Sequence, residues 1–129
     1  MVDVLEQATV WLRRMQRQYA ATTVLYVRGE QSVPVSATIG RTLFEVEDGY
    51  GVVVRFESRD FLIAPEELLI GDRFILPQRG DRIQESQDGI FFTYEVMSPG
   101  KEPPWRYSDP YRRTFRIHTK QVSDTEVAP

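Results

Sequence analysis

The stretch TLFEVEDGYGVVVRFE, residues 42–57, alternates apolar and polar side chains on either side of a short polar break. Five of its apolar residues stand at alternating steps: Phe44, Val46, Val52, Val54 and Phe56. This period is typical of strands that have one face in water. The break Asp48-Gly49-Tyr50 is a turn signal. The stretch therefore predicts a β-hairpin and makes the fold mainly β.

The same pattern extends outward in both directions. Segments 22–28 and 33–39 flank the turn sequence GEQS, and segments 90–97 and 114–121 alternate in the same way. Gly80-Asp81 and Asp88-Gly89 mark further turns, and residues 65–68 (PEEL) predict a single helical turn. We expect a small antiparallel β-barrel or sandwich over about residues 22–121.

Residues 2–20 differ from the rest because their apolar side chains recur at three- and four-residue steps: Leu5, Ala8, Leu12, Met15 and Tyr19. This spacing predicts an amphipathic helix. The helix either covers one side of the sheet or docks on a partner protein. The predicted fold class is therefore α+β, mainly β, in a single domain of residues 1–129. Residues 122–129 lack a period, and we expect them to fray.

The composition excludes several kinds of chemistry. The 129 residues include no cysteine and one histidine, so thiolate zinc sites, disulfides and cysteine nucleophiles are absent. We interpret His118 as a solvated side chain on the last strand. We interpret Glu45 and Glu47 as residues on the solvent-exposed face of the strand at residues 42–47. The glycines form no phosphate-binding loop. We expect no enzyme activity, no metal and no cofactor.

Charge and hydropathy bear on the partners. No apolar run approaches the length of a membrane helix, so we expect a cytosolic protein that binds no membrane. The net charge of −3 is unevenly distributed. Residues 41–72 carry three arginines against eight carboxylates, whereas residues 99–120 carry six cations against two carboxylates. Faces of opposite charge suit self-association in which one face meets the other on a neighbour.

A long connection, SPGKEPPWRYSDPYRR at residues 98–113, separates the last two predicted strands. Long loops without regular structure are often functional. This loop interleaves aromatic residues with arginines, and its candidate contact residues are Trp105, Arg106, Tyr107, Tyr111, Arg112 and Arg113. Such side chains favour a protein interface. Two alternatives stay open at this point: Trp105 folded back to cap a small barrel, or a nucleic-acid-binding module that stacks bases.

The second half of the chain also carries a specific order of motifs. QRGDRI at residues 78–83 is followed by the turn Asp88-Gly89 and then by Tyr94-Glu95-Val96. This order resembles the "G-D-x-(I/V), short turn, Y-x-V" pattern of tailed-phage head–tail joining and tail-completion proteins of the lambda type. The resemblance covers about residues 51–119, and an N-terminal helix is compatible with it.

The resemblance implies a structural protein of a phage or prophage virion. Proteins of this family connect the portal of the filled head to the tail as a ring, and they act by binding. The implied partners are portal and tail proteins, together with further copies of the chain, which could be monomeric before assembly. The implied location is the host cytoplasm first and the virion afterwards.

Overall fold

The computed structural model describes residues 21–126, so the predicted helix at residues 2–20 lies outside the described part of the chain. Nine strands and one 3-10 turn follow in order: β1 Ala21–Arg28, β2 Gln31–Glu47, β3 Val53–Ile63, the 3-10 turn Pro65–Glu67, β4 Leu69–Ile70, β5 Arg73–Phe74, β6 Arg82–Gln87, β7 Ile90–Val96, β8 Trp105–Tyr107 and β9 Phe115–Glu126. The prediction of a mainly β fold is confirmed.

Six of these strands close into an antiparallel barrel. Their order is β3-β2-β1-β6-β7-β9, and β9 pairs back onto β3. The short strand β8 lies along the first half of β9, beside the stretch that β7 occupies. Strands β4 and β5 form a separate two-stranded hairpin. Of the two predicted architectures, barrel and sandwich, the structure is the barrel.

The barrel interior is filled by residues at alternating positions of every wall strand. They include Val24, Tyr26, Val35, Ala37, Phe61, Ile63, Ile83, Tyr94, Val96, Phe115 and Ile117. An ion pair also lies within the barrel, because Arg59 Nη2 is 2.7 Å from Glu85 Oε2. The Arg59 guanidinium stands over the ring of Tyr94, 4.9 Å from its centroid. The barrel interior therefore contains an ion pair and a cation–π contact in addition to its packed apolar side chains.

Strand β2 corrects the sequence prediction, which divided it into two segments, 33–39 and 42–47. The strand is continuous through Gly40. A Cβ at this position would lie 3.2 Å from Arg116 Nη1 and 3.3 Å from Leu62 Cδ1. The absence of a side chain at Gly40 therefore leaves room for the side chains of Arg116 and Leu62. The glycine lies inside a continuous strand and does not interrupt it as the sequence had suggested.

Strand β9 also differs from its prediction. The predicted strand ended at Gln121 and was followed by a fraying tail. Instead β9 continues to Glu126, because its backbone pairs with β7 as far as Ile90. Residues 127–129 lie outside the described part of the chain.

The turns of the 78–96 motif behave as predicted. Gly80 has a φ of 91°, and its N–H donates to the Val96 carbonyl at 3.0 Å. Val96 in turn donates to the Asp81 carbonyl at 2.8 Å. Tyr94 and Val96 are both buried. The motif therefore fixes the register of the β6–β7 hairpin through its turn and its packing residues.

Beyond the barrel, β2 and β3 continue as a two-stranded extension of residues 41–58, called the arm below. Here the two strands pair with each other. Strand β1 accompanies β2 only as far as Thr38, and β9 accompanies β3 only from Arg59 onward. Within residues 21–126, no third strand flanks the arm.

Candidate protein-binding surface

The 98–113 loop is tied to the barrel at both of its ends. Pro99 is fully buried, and Gly100 approaches the arm so closely that a Cβ there would lie 3.2 Å from Val46 Cγ2. Further along, the His118 N–H donates to the Pro104 carbonyl at 2.9 Å. Since β8 then pairs with β9, the loop is a fixed part of the barrel wall for much of its length.

Two of the candidate contact residues pack against the core. Trp105 and Tyr107 lie opposite Ile117 and Phe115 on β9 and are half-buried. The rings of Trp105 and Phe115 meet edge-on with 4.7 Å between their centroids. The Trp105 and Tyr107 rings meet in the same way at 5.2 Å. This cluster extends the hydrophobic packing of the barrel, in line with the structural alternative for Trp105.

The other four candidates face solvent. Arg106 alternates with its neighbours on β8 and points away from the core, and Tyr111, Arg112 and Arg113 form the loop tip. Tyr111 is 76% exposed. The Arg113 guanidinium lies 5.4 Å from the Tyr111 ring centroid. The tip therefore displays aromatic and cationic groups next to each other.

Asp109 holds this tip in one conformation. Its Oδ1 accepts from the N–H groups of Arg113 at 2.9 Å and Thr114 at 3.0 Å, and its Oδ2 accepts from Tyr111 at 3.2 Å. Arg112 has a φ of 58°, which is unusual for a residue with a side chain. The carboxylate compensates for that backbone, so the tip is ordered before it meets any partner.

The six candidates thus fall into two sets. Trp105 and Tyr107 stabilise the wall, and Arg106, Tyr111, Arg112 and Arg113 are available for contact. The partner-binding role predicted for the six residues stays a prediction.

A buried polar network joins the arm to β9, and the sequence analysis did not find it. At its centre the Asp60 carboxylate accepts from His118 Nδ1 at 2.9 Å, Arg116 Nη1 at 2.7 Å and Ser58 Oγ at 2.6 Å. The Thr42 hydroxyl is a fourth donor. Burial alone would raise the pKa of Asp60, but these four hydrogen bonds together hold it well below its usual value.

The interpretation of His118 as a solvated side chain is wrong. The residue is 3% exposed. The Phe44 ring meets it edge-on, 5.2 Å between ring centroids, and the backbone at Met97 and Pro104 bonds to its own backbone. Strand alternation placed His118 on the outer face of β9 correctly. That face is covered because the arm and the 98–113 loop fold over it.

Serine, histidine and aspartate meet in this network without the geometry of a catalytic triad. In a triad the carboxylate and the serine hydroxyl bind opposite nitrogens of the imidazole. Here Ser58 Oγ, at 3.5 Å, and Asp60 Oδ1 both lie at Nδ1 of His118. Ser58 donates to the carboxylate instead. The group therefore stabilises the structure.

A second buried carboxylate, Asp81, performs the same task at the β1–β6 contact. It accepts from the Tyr26 hydroxyl, from Arg28 Nε at 3.0 Å and from the Gln78 N–H at 2.9 Å. Burial and the bond to Asp81 raise the pKa of Tyr26 above its usual range. The motif aspartate is thus an anchor for two neighbouring strands as well as a turn residue.

The sequence analysis also missed two exposed apolar surfaces. One is the arm and the other includes the β4–β5 hairpin, and their exposed residues are Leu43, Tyr50, Val52, Val53, Val54, Leu69, Phe74 and Leu76. A signal for the first was present in Val52-Val53-Val54. Three consecutive apolar residues in an extended segment cannot all face one core, since side chains alternate, and β3 begins at the second of them.

No cluster of three or more His, Cys, Asp or Glu side chains within residues 21–126 could hold a metal ion. In the same part of the chain, no helix has the length and hydropathy needed to cross a membrane.

Comparison with known protein families gave a match over most of the chain. The family model described as "Phage head-tail joining protein" matches residues 2–126. No curated protein sequence matches the chain. The nucleic-acid-binding alternative gains support neither from this comparison nor from the described residues.

Proposed function

Since the chain belongs to the phage head-tail joining protein family, we propose that it joins head to tail purely by protein–protein binding, as a ring of identical copies. Joining is a structural role in the virion, and the components joined are those of the phage head and tail. The match over residues 2–126 is the observation that carries this conclusion. Binding without catalysis also agrees with the buried carboxylates Asp60, Asp81 and Glu85, each occupied by structural hydrogen bonds.

The loop tip is the contact surface that we propose for a portal or tail protein. Tyrosine and arginine are enriched among residues that dominate binding energy at interfaces. Tyr111, Arg112 and Arg113 present these groups on a backbone that Asp109 already holds in place. A preordered tip loses less conformational entropy when it docks, which favours affinity.

The distribution of charge supports a ring. The arm carries four carboxylates and two arginines, whereas residues 98–113 carry four cations and two carboxylates. Unlike surfaces on one chain form heterologous contacts, and such contacts close into rings when the rotation between copies permits. In this proposal the chain folds in the host cytoplasm and enters the virion when the joint assembles.

The test is a double variant, Tyr111→Ala with Arg113→Ala, in the producing phage or prophage. Losing a hot-spot contact costs on the order of 2 kcal/mol, roughly a thirtyfold weaker contact at each copy. We expect filled heads without tails to accumulate while the chain stays folded. Arg82→Ala, an exposed arginine on β6, is the matched control and leaves tailed particles unchanged. Normal yields of tailed particles from the double variant would exclude the tip as a contact surface.

A further inference from the structure

The end of the arm, residues 48–52 and called the arm tip below, is an ordered turn that displays a tyrosine. Asp48 Oδ1 accepts from the N–H groups of Tyr50 at 2.8 Å and Val52 at 3.2 Å, and the Asp48 N–H donates to the Val52 carbonyl at 3.0 Å. The two glycines of the turn have φ angles of 89° and 82°, which residues with side chains rarely adopt. Tyr50 is 92% exposed and Val52 is 54% exposed. The arm therefore ends in a fixed backbone that holds apolar side chains in water.

The loop tip is built in the same way. Asp109 accepts from the N–H groups of Tyr111 and Arg113, which lie two and four residues further along the chain, the same two spacings as in the arm tip. Each tip also joins two paired strands, β2 and β3 in the arm and β8 and β9 in the loop. The arm tip therefore shares the preordered tyrosine for which the loop tip was proposed as a contact surface.

The two tips lie at opposite ends of the molecule. Strands β3 and β9 pair from Arg59 with Thr119 to Ile63 with Phe115. The loop tip precedes Phe115, beyond one end of this ladder, and the arm tip precedes Val53, beyond the other end. Ten steps separate the first and last of the eleven residues of β3, which is about 33 Å at 3.3 Å per step. A protein that connects two components needs a contact surface at each end, and the tips have that placement.

The two tips also differ in charge. The loop tip carries Arg112 and Arg113 beside its aspartate. At the arm tip Asp48 follows Glu47, and neither carboxylate forms an ion pair within residues 21–126, unlike the two glutamates nearer the barrel, which pair with arginines. Charge complementarity therefore matches the loop tip to an acidic surface and the arm tip to a basic one.

Residues 1–20, which lie outside the described part of the chain, join the barrel at Ala21 and not at the arm tip. Ala21 begins β1 opposite Thr38. Glu47, beside the arm tip, stands nine residues further along β2, which is about 30 Å of strand. The helix predicted for residues 2–20 would span about 28 Å. It would therefore stop short of Tyr50 even if it followed the whole arm.

We propose that the arm tip is the second contact surface of the joint, and that it binds the component, head or tail, that the loop tip does not bind. Its partner is a protein surface with an apolar pocket for Tyr50 and cationic groups around that pocket. The inference rests on the proposed function and adds the second of the two contacts that joining requires. The charged face along the arm, which holds Glu45 and Arg55, is left for contact between copies.

A double variant, Tyr50→Ala with Val52→Ala, in the producing phage or prophage tests the contact. Losing a hot-spot tyrosine weakens the contact roughly thirtyfold at each copy, so filled heads and free tails should accumulate as they do for the loop-tip variant. Val122→Ala truncates an exposed valine on β9 and is the matched control, which should leave tailed particles unchanged. Both variant chains should keep the Tm of the unaltered chain, since the altered side chains are exposed.

Immunoblots of purified filled heads show whether the tips bind different components. We expect heads from one of the two tip variants to retain the chain and heads from the other to lack it. Heads that retain the chain in both variants, or lack it in both, would place the two tips on the same component and overturn the proposal. Normal yields of tailed particles from either variant would overturn it too. Normal tailed particles from a phage without the gene would instead refute the joining role itself.

Maleimide labelling tests whether the arm tip is open before assembly, because the sequence contains no cysteine. Val52→Cys in the isolated full chain should react at a rate similar to that of Val122→Cys, and it should be protected in tailed particles. Slow reaction in the isolated chain would show that residues 1–20 or another copy cover the tip, which contradicts the proposal. Full reactivity in tailed particles would contradict it as well.

Discussion

Replacing Asp60 by asparagine removes the charge at the centre of the network that joins the arm to β9. The amide has nearly the same shape, so packing is preserved. Arg116, which is 20% exposed, then has no counter-charge among its described contacts. The new NH2 group faces donors whichever oxygen it replaces: Ser58 and His118 at Oδ1, or Thr42 and Arg116 at Oδ2. The variant therefore tests whether charge, rather than volume, stabilises this part of the fold.

The expected loss is large for a single substitution. Breaking a buried ion pair by removing one partner costs about 3–5 kcal/mol. Because one-fifth of Arg116 reaches water and regains some hydration, we expect about 3 kcal/mol, at the lower end of that range. Unfolding entropy is about 2.1 cal/mol/K per residue, so this loss lowers the Tm by about 10 °C for a chain of this size.

Thermal unfolding followed by circular dichroism, together with urea unfolding at pH 7, measures the change. Glu45→Gln is the matched control, since it makes the same carboxylate-to-amide change in an exposed pair with Arg55. Exposed pairs contribute less than about 1 kcal/mol. A second variant, Asp60→Asn with Arg116→Met, removes both charges and should recover part of the lost stability.

If the free energies of unfolding of Asp60→Asn and of the unaltered chain differ by less than about 1 kcal/mol, the four hydrogen bonds to the carboxylate contribute little to stability and the reasoning fails. The same conclusion follows if removing both charges is as harmful as removing one, because the penalty would then not come from an uncompensated arginine.

Three further results are expected. The folded-state pKa of Asp60 lies below its unfolded value of about 3.9, so its contribution to the free energy of unfolding is present above that value and is lost on acidification. Urea titrations should therefore show a penalty for Asp60→Asn that is about 1 kcal/mol smaller at pH 3 than at pH 7. Asp81→Asn should lower the free energy of unfolding by about 2–4 kcal/mol, since Tyr26 and Arg28 lose their shared acceptor; an unchanged urea midpoint would contradict this. Tyr111→Ala alone should leave the Tm within about 2 °C, equivalent to about 0.5 kcal/mol, because the ring is exposed, and a larger fall would place it in the fold.

Local periodicity in the sequence predicted most of the barrel strands. Alternation located the strands around residues 42–57 and 90–97, and Gly80 and Gly89 located turns whose backbones have positive φ. These features depend on a few neighbouring residues and on steric rules that hold in any fold. The position of Gly40 shows the limit, since only contact with Arg116, far along the chain, explains why β2 passes through it.

The candidate surface was less accessible to sequence reasoning for the same reason. Aromatic residues and arginines identified the 98–113 loop, but not which of them pack inward, because that depends on the pairing of β8 with β9. The burial of His118 likewise requires the arm and the loop to cover one face of β9. Periodicity assigns a side chain to a face of a strand, whereas tertiary contacts decide whether that face is wet.

The closure of the barrel has a consequence for how the protein is made. The final wall contact pairs Arg59 with Thr119 and Ile63 with Phe115, residues more than fifty positions apart in the sequence. Such non-local pairing places all-β domains among the slow folders, with times of milliseconds to seconds. Until it forms, β3 and β9 present open edges on which other chains can add strands. Once β3 and β9 have paired, neither edge is open at this contact, and the closed wall protects the assembled joint against aggregation.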